Sequence, residues 1–230
     1  MEQKSSISAI ILCVGIVAAG LLIGGGLKRI AYKDRAVTVK GLATRDVQAD
    51  YAVWPLHFEV EGNDLKLLQN QATNITNIVV NFLKQKGFEA DDIRTGKVSV
   101  NDQWANYYTT QRPANHYQLQ TSVVVSTNKV EQVVANQNCI TELLEKGIIL
   151  DVREWEMDFQ YNSLTSIKPE MIEEATRNAH TVAQKFADDA DCRLGSIRHA
   201  SQGQFSVESD QYQPWIKHIR VVTTVDYYLR

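Results

Sequence analysis

Five histidines are scattered through the chain, at His57, His116, His180, His199 and His218. His116 and His218 each open an apparent returning strand, so a metal pair is conceivable if those strands adjoin. No carboxylate accompanies them at fixed spacing, and the plainer reading is polar, water-facing residues at strand starts. Glu154, Glu156 and Asp158 alternate along one stretch. A glycosidase-type acid pair needs two carboxyls across a cleft, one with a raised pKa. Neighbours on one strand face do not create that, and a solvated surface is the better account. Cys13, Cys139 and Cys192 form no CxxC and no zinc spacing, and buried free thiols are the expectation for the last two. No phosphate-cradling glycine loop, GxSxG or HExxH occurs. The chain therefore carries no catalytic, metal or cofactor signature, and hydrolase activity has no nucleophile with a positioned base. What remains are two loops, 104–115 and 203–214, holding Trp104, Tyr107, Tyr108, Phe205, Tyr212 and Trp215 among Asn, Gln, Thr and Ser. Such aromatics fit a binding or assembly surface, or fold back onto their own sheet; both readings stand.

The elements that would carry these loops follow from periodicity. Ala36–Gln48 reads as a strand with Val37, Val39, Gly41 and Ala43 on one face. Tyr51–Glu61 aligns Ala52, Trp54, Leu56, Phe58 and Val60, and Pro55 within it argues for an edge or a bulge. Asn63 or Asp64 caps a helix to about Lys86, striped by Leu68, Ala72, Ile75, Val79 and Phe82 and ended by Gly87. Ile93–Gln103 and His116–Thr127 are strands. Asn128 with Glu131 resembles a capping box for a helix to Lys146, closed by Gly147. Arg153–Tyr161 alternates Trp155, Met157, Phe159 and Tyr161 with polar residues, a strand pattern. A helix is expected to start at Pro169, with Ile172, Ala175, Ala179, Val182, Ala183, Phe186 and Ala187 along one stripe. Its alanines, four apart, form a flat ridge. Leu194–Phe205 is a strand, 206–214 a loop and Trp215–Leu229 the final strand.

Strand, helix, strand, loop and strand thus run from Tyr51 to Thr127 and again from Arg153 to Arg230. The predicted fold is α+β: a two-layer helix-on-antiparallel-sheet body from a duplicated βαββ unit, with sub-lobes at about 51–127 and 153–230.

Ahead of it, Ile7–Leu27 carries no charge. As a helix it would be roughly 30 Å long, enough for a bilayer's hydrocarbon core and longer than a signal peptide's apolar region. The expectation is an uncleaved membrane anchor over residues 1–35 including its linker, and a body over 36–230. Lys28, Arg29, Lys33 and Arg35 follow the span, while only Glu2 and Lys4 precede it, so charge leaves the orientation open. A net charge of −3 and a pI near 6.0 give no footprint for nucleic acid.

Val37-Thr-Val-Lys-Gly-Leu-Ala-Thr-Arg-Asp-Val47, the helix Glu174-Ala-Thr-Arg-Asn-Ala-His-Thr-Val-Ala-Gln-Lys-Phe-Ala187, Leu194-Gly-Ser-Ile197 and Ile219-Arg-Val-Val-Thr-Thr-Val-Asp-Tyr-Tyr-Leu229 resemble the SIMPL-domain family. The resemblance spans residues 36–230. It implies a bacterial envelope protein, of the periplasmic immunogenic or oxidative-stress-defence type, some members of which assemble into rings. No catalytic residues are established for that family, so none carries over. It also implies that the body lies in the periplasm, behind a signal peptide or an anchor, and with the long apolar span at 7–27 the expectation is a single-pass anchor in the inner membrane. The resulting expectation is a non-enzymatic, anchored, homo-oligomeric protein without cofactor or nucleic-acid partner. The alternative is an anchored module binding a hydrophobic or carbohydrate-like envelope ligand.

Overall fold

The computed structural model describes Gly15, Val17, Ala19 and Gly20, then residues 35–230 without 106–112 and 152. The expected span at 7–27 otherwise lies outside the described residues. Among the described residues no helix is long and apolar enough to cross a membrane.

The chain is α+β, with helices and antiparallel sheets. In order it forms β1 (Ala36–Gln48), β2 (Tyr51–Gly62), α1 (Leu65–Gln85), β3 (Ile93–Thr95), β4 (Ser99–Asp102), β5 (Tyr117–Thr127), α2 (Val130–Asn136), α3 (Thr141–Leu144), β6 (Asp158–Gln160), α4 (Leu164–Asp189), β7 (Leu194–Gln202), β8 (Ser206–Ser209) and β9 (Ile216–Leu229). The chain divides into two compact units. One holds the described residues up to Arg45 with Ser166–Val207 and His218–Arg230; the other holds Asp46–Thr165 with Glu208–Lys217. Residues 153–165 and 208–217, which the sequence places in its second lobe, thus group with 46–152.

In the second of these units a five-stranded sheet runs β3-β5-β2-β6, with β4 also on β5. Its long ladder pairs β2 with β5 in unbroken register from Ala52↔Thr127 to Gly62↔Tyr117. Trp54, Leu56 and Phe58 of β2 are buried together with Leu119, Val123 and Val125 of β5 and Leu68, Ala72, Val79, Phe82 and Leu83 of α1. Each large side chain so buried contributes about 1.5–3 kcal/mol before entropy is set against it. Asp64 caps α1 by accepting from the Lys66 and Leu67 amides, and Gly87 leaves it at φ +91.

Pro55 sits opposite Val124 of β5 in unbroken register and past the last β6 partner at Val53, so there is no bulge and its outer side is locally an edge. His57 exchanges backbone hydrogen bonds with Asp151, and Tyr51 and Val53 pair with β6. Odd-numbered residues of β2 therefore direct their amides away from β5. Pro55 falls between those two contacts, where its missing N–H removes nothing from the β2–β5 ladder.

Several elements are shorter than periodicity implies. The expected strand 93–103 is two strands, both on β5, whose registers differ by one residue; Gly96, just past the first, lies so close to β5 that a Cβ would stand 2.1 Å from Ser122 Oγ. The expected helix 128–146 breaks into α2, a 3-10 turn at Gln137–Ile140 and α3. Its N-cap is Lys129, with no side-chain capping bond, so the Asn128/Glu131 box does not form. Of Arg153–Tyr161 only β6 is strand; Glu154–Glu156 is a 3-10 turn and Trp155 is 81% exposed. β6 pairs with Tyr51–Val53 alone, and the next outward-facing position of β2 is Pro55, which has no amide to give. The expected loop at 206–214 contains β8, which pairs with β9.

Helix α4, which from Ser166 on belongs to the other unit, starts at Leu164 and holds Pro169 inside it rather than at its first turn. The Asp50 carboxylate anchors the chain just before that start, accepting from the Asn162 and Ser163 amides at 2.8 Å each. The alanine ridge is as expected: Ala175, Ala179, Ala183 and Ala187 are buried, joined by Met171. Val182 and Phe186, placed on the same stripe by sequence, are exposed. A backbone lies on the ridge, because a Cβ on Gly41 would stand 1.8 Å from Ala175 O and 2.5 Å from Ala179 N. Val39, Val225 and Tyr227 complete that small core with Ala179 and Ala183. The second sheet runs β1-β9-β7, with β8 also on β9. The strand taken by sequence as the counterpart of β2, at Arg153–Tyr161, pairs with β2 itself.

Candidate functional site

The alternation that buries Trp54, Leu56 and Phe58 turns His57, Glu59 and Glu61 to the opposite face of the sheet. Gln118 and Gln120 of β5 stand opposite Glu61 and Glu59 in the ladder. Their amides hold the Glu59 carboxylate, Gln118 at 3.0 Å and Gln120 at 3.3 Å. Glu61 accepts from Gln103 at 2.9 Å and Asn115 at 3.1 Å. Neutral amides thus fix both carboxylates without cancelling their charge.

Ile149, Asp151 and Arg153 come in beside this face. The His57–Asp151 backbone pair fastens them. His57 Nε2 then meets Glu156 Oε2 at 2.5 Å. Arg153 donates to Asp151 at 2.8 Å and to Glu156 at 3.0 Å. The Arg153 bond first, and the His57 bond after it, hold the Glu156 carboxyl below the ordinary carboxylate range against partial desolvation. The hydrogen bonds it donates to Asp151 and Glu156 raise the Arg153 guanidinium above its usual value. The result is a cleft of about 550 Å³ lined by His57, Glu59, Glu61, Gln120, Ile149, Asp151 and Arg153. Its chemistry is that of hydrogen-bonding recognition: planar carboxylates, an amide and a guanidinium with one apolar wall. Sequence reading missed it, since the joining of His57 to Asp151 spans 94 positions of chain (151 − 57) and leaves no local mark.

The aromatic loop residues fall in different places. Trp104 folds back: it stacks on His116 at 4.0 Å, and its indole N–H donates to Pro113 O at 3.1 Å. His116 in turn stacks on Tyr117 at 3.8 Å and meets Asp102 at 3.1 Å. Tyr107 and Tyr108 lie outside the described residues. Phe205 takes the Lys168 ammonium over its ring at 5.7 Å. Trp215 packs edge-on to Phe159 with centroids 6.1 Å apart. Tyr212 stands 85% exposed on the turn that the Asp210 carboxylate closes. Cys139 and Cys192 are half-buried free thiols. Among the described residues no group of three or more His, Cys, Asp or Glu is placed to hold a metal ion.

Two antiparallel sheets faced by amphipathic helices, with a polar cleft on an open sheet face, define an α+β protein of the helix-on-sheet class. The SIMPL family model, described as "Protein of unknown function (DUF541)", matches residues 37–219. The chain belongs to the SIMPL family. No curated protein matches it in sequence.

Proposed function

We propose that this chain is a membrane-anchored, non-enzymatic bacterial envelope protein whose body, a duplicated βαββ unit in the periplasm, self-assembles through the edges of its four-stranded sheet in a stress-related role. One observation carries the reading. Among the described residues β7 ends the sheet order β1-β9-β7, and Ser196–Gln202 is exposed on both faces. A nine-residue edge strand so uncovered is a template for another strand, a liability that monomeric proteins suppress. An anchor at 7–27 would hold copies in one plane and raise their effective concentration. The duplication is supported by the way β5 and β9 each take a long strand on one side (β2, β1) and two strands from after a helix on the other. Light scattering of residues 36–230 and of the detergent-solubilised full chain tests the assembly, which a monomer at every concentration would refute. Protease accessibility in spheroplasts tests the anchor's orientation.

The cleft favours a second reading, an anchored module binding a carbohydrate-like envelope ligand. Its Glu59, Glu61, Gln120 and Arg153 side chains suit hydroxyl-rich partners better than hydrophobic ones. Thermal shift of the full chain against envelope saccharides tests it, since a ligand of the native state must raise the melting temperature.

A further inference from the structure

Lys217 breaks the rule for lysines. Along β9 the buried positions alternate, Lys217, Ile219, Val221, Thr223, Val225 and Tyr227, and Lys217 is 6% exposed. Lysines are almost never buried unless paired with a carboxylate. Among the described residues Lys217 makes no ion pair, and its ammonium donates to a neutral group, the Ser209 hydroxyl, at 2.6 Å. Asp210 N donates to Ile216 O at 3.0 Å, which sets Ser209 and Lys217 opposite each other with their side chains on one face. Ser209 itself is exposed to solvent. Burial pushes the Lys217 amine below its ordinary value, while the Asp158 carboxylate pulls it partly back. The other acids nearby in sequence are engaged or turned away: Asp210 accepts from the Tyr212 and Gln213 amides, and Glu208 alternates to the opposite face of β8.

We infer that Ser209 is a nucleophilic acylation site, activated by Lys217 as general base and accepting acyl groups from activated carboxylic esters. With the amine neutral, the same 2.6 Å contact lets the hydroxyl donate to nitrogen. Ser209 Oγ attacks the donor's carbonyl carbon, its proton passes to Lys217 Nζ, and the Oγ–C bond forms as the bond to the leaving alcohol breaks. The alkoxide takes that proton from Lys217, leaving an ester on Ser209 and a neutral amine. No turnover is required, so the modification is compatible with a non-enzymatic scaffold.

The full chain in detergent is treated with p-nitrophenyl acetate and its adducts mapped by peptide mass spectrometry across pH. Ser209 is expected to acetylate at least tenfold faster than exposed Ser201. The rate rises with pH to a midpoint below the ordinary lysine value of about 10.4. Ser209→Ala abolishes the adduct. Lys217→Met, which keeps the apolar stem, and Lys217→Arg, which keeps the charge but cannot deprotonate, both bring Ser209 down to the Ser201 rate. Asp158→Asn removes the opposing carboxylate and lowers the midpoint, a shift that a structural lysine would not produce. An acetyl on Lys217 that disappears in Ser209→Ala also supports the site, because an adjacent ester passes its acyl group to the amine. Labelling of Ser209 at the Ser201 rate, an acetyl on Lys217 that persists in Ser209→Ala, or an unmoved midpoint in Asp158→Asn would each overturn it.

Discussion

Gly41→Ala is the sharpest test of the packing in the unit that contains α4. An added Cβ would lie 1.8 Å from Ala175 O and 2.5 Å from Ala179 N. Ordinary contact begins near 3.4 Å, so strand and helix must separate by up to about 3.4 − 1.8 = 1.6 Å along that line. Both obstacles are main-chain atoms of α4, and no rotamer change relieves them. Overpacking a core costs about 1–3 kcal/mol where side chains can give, and more where they cannot. A gap of 0.5–1 Å already forfeits about a quarter to a half of the dispersion energy across the contact. We expect a loss of about 3 kcal/mol, read as a melting temperature lower by roughly 6–12 °C in a chain of this size. Differential scanning fluorimetry of the full chain in detergent measures it. Ala175→Gly should not rescue the variant, since the clash is with a carbonyl oxygen. Gly96→Ala offers the contrast, because its obstacle is the Ser122 side chain and Ser122→Ala relieves it. A Gly41→Ala protein melting within about 2 °C of the parent, or one rescued by Ala175→Gly, would refute this account of the alanine ridge.

Four further outcomes follow from the described geometry. Burial pushes the Asp50 carboxyl up, but bonds from Asn162 and Ser163 outweigh it and leave it below its ordinary value. Its stabilising effect is therefore present above the unfolded carboxylate value of about 3.9 and is lost as pH falls through the lower folded value. Asp50→Asn should cost about 1–2 kcal/mol at pH 7 and flatten the stability profile below about pH 4, as urea titrations across pH would show. Pro55→Ala should change stability by less than about 1 kcal/mol, because no ladder bond is gained or lost. Leu56→Pro, one residue on, removes an amide facing β5 and should abolish cooperative unfolding followed by circular dichroism. Gly203 N bonds Val222 O, so alternation turns the Ala200 amide outward from β7. Ala200→Pro should then abolish assembly in light scattering while lowering the melting temperature by only a few degrees.

Where an element has a long partner, alternation in the sequence located it: β1, β2, β5 and β9 are found within a residue or two of their expected ends. Helix α1 was equally legible, because Asp64 and Gly87 carry local signals that need no tertiary context. Arg153–Tyr161 shows what periodicity omits. Its alternation is real, and Phe159 is buried, but a strand exists only where another strand meets it. Val182 and Phe186 failed for a related reason: a backbone packs on the narrow alanine ridge, which leaves the flank of that stripe uncovered. Of the aromatic loop residues, Trp104 and Trp215 turned inward, and only Tyr212 is shown standing in solvent. The His57–Asp151–Arg153 cleft had no local signature at all. The Ser209–Lys217 pair did have one, since Lys217 lies in phase with Ile219, Val221, Val225 and Tyr227, where a charge is out of place.

The two sheets manage their edges differently, and this links fold to function. In the five-stranded sheet the long strands β2 and β5 are interior. Among the described residues its edges are β3, β4 and β6, of three, four and three residues. Short edges offer too few unpaired amides to recruit another strand. In the four-stranded sheet the order is reversed, for β1 and β7 at the ends have 13 and nine residues. Leu229 N bonds Arg35 O and Ala49 N bonds Trp215 O, so odd-numbered amides of β1 face β9. The even-numbered ones face outward, where the Asn178 amide donates to the Leu42 carbonyl at 2.8 Å. β7 carries two register shifts near Leu194–His199, which twist the start of that edge and leave Ala200–Gln202 regular. A protein selected only to remain monomeric would be expected to shorten or shield such strands. Their persistence in a chain whose other sheet does shorten its edges is what the proposed assembly through the four-stranded sheet rests on.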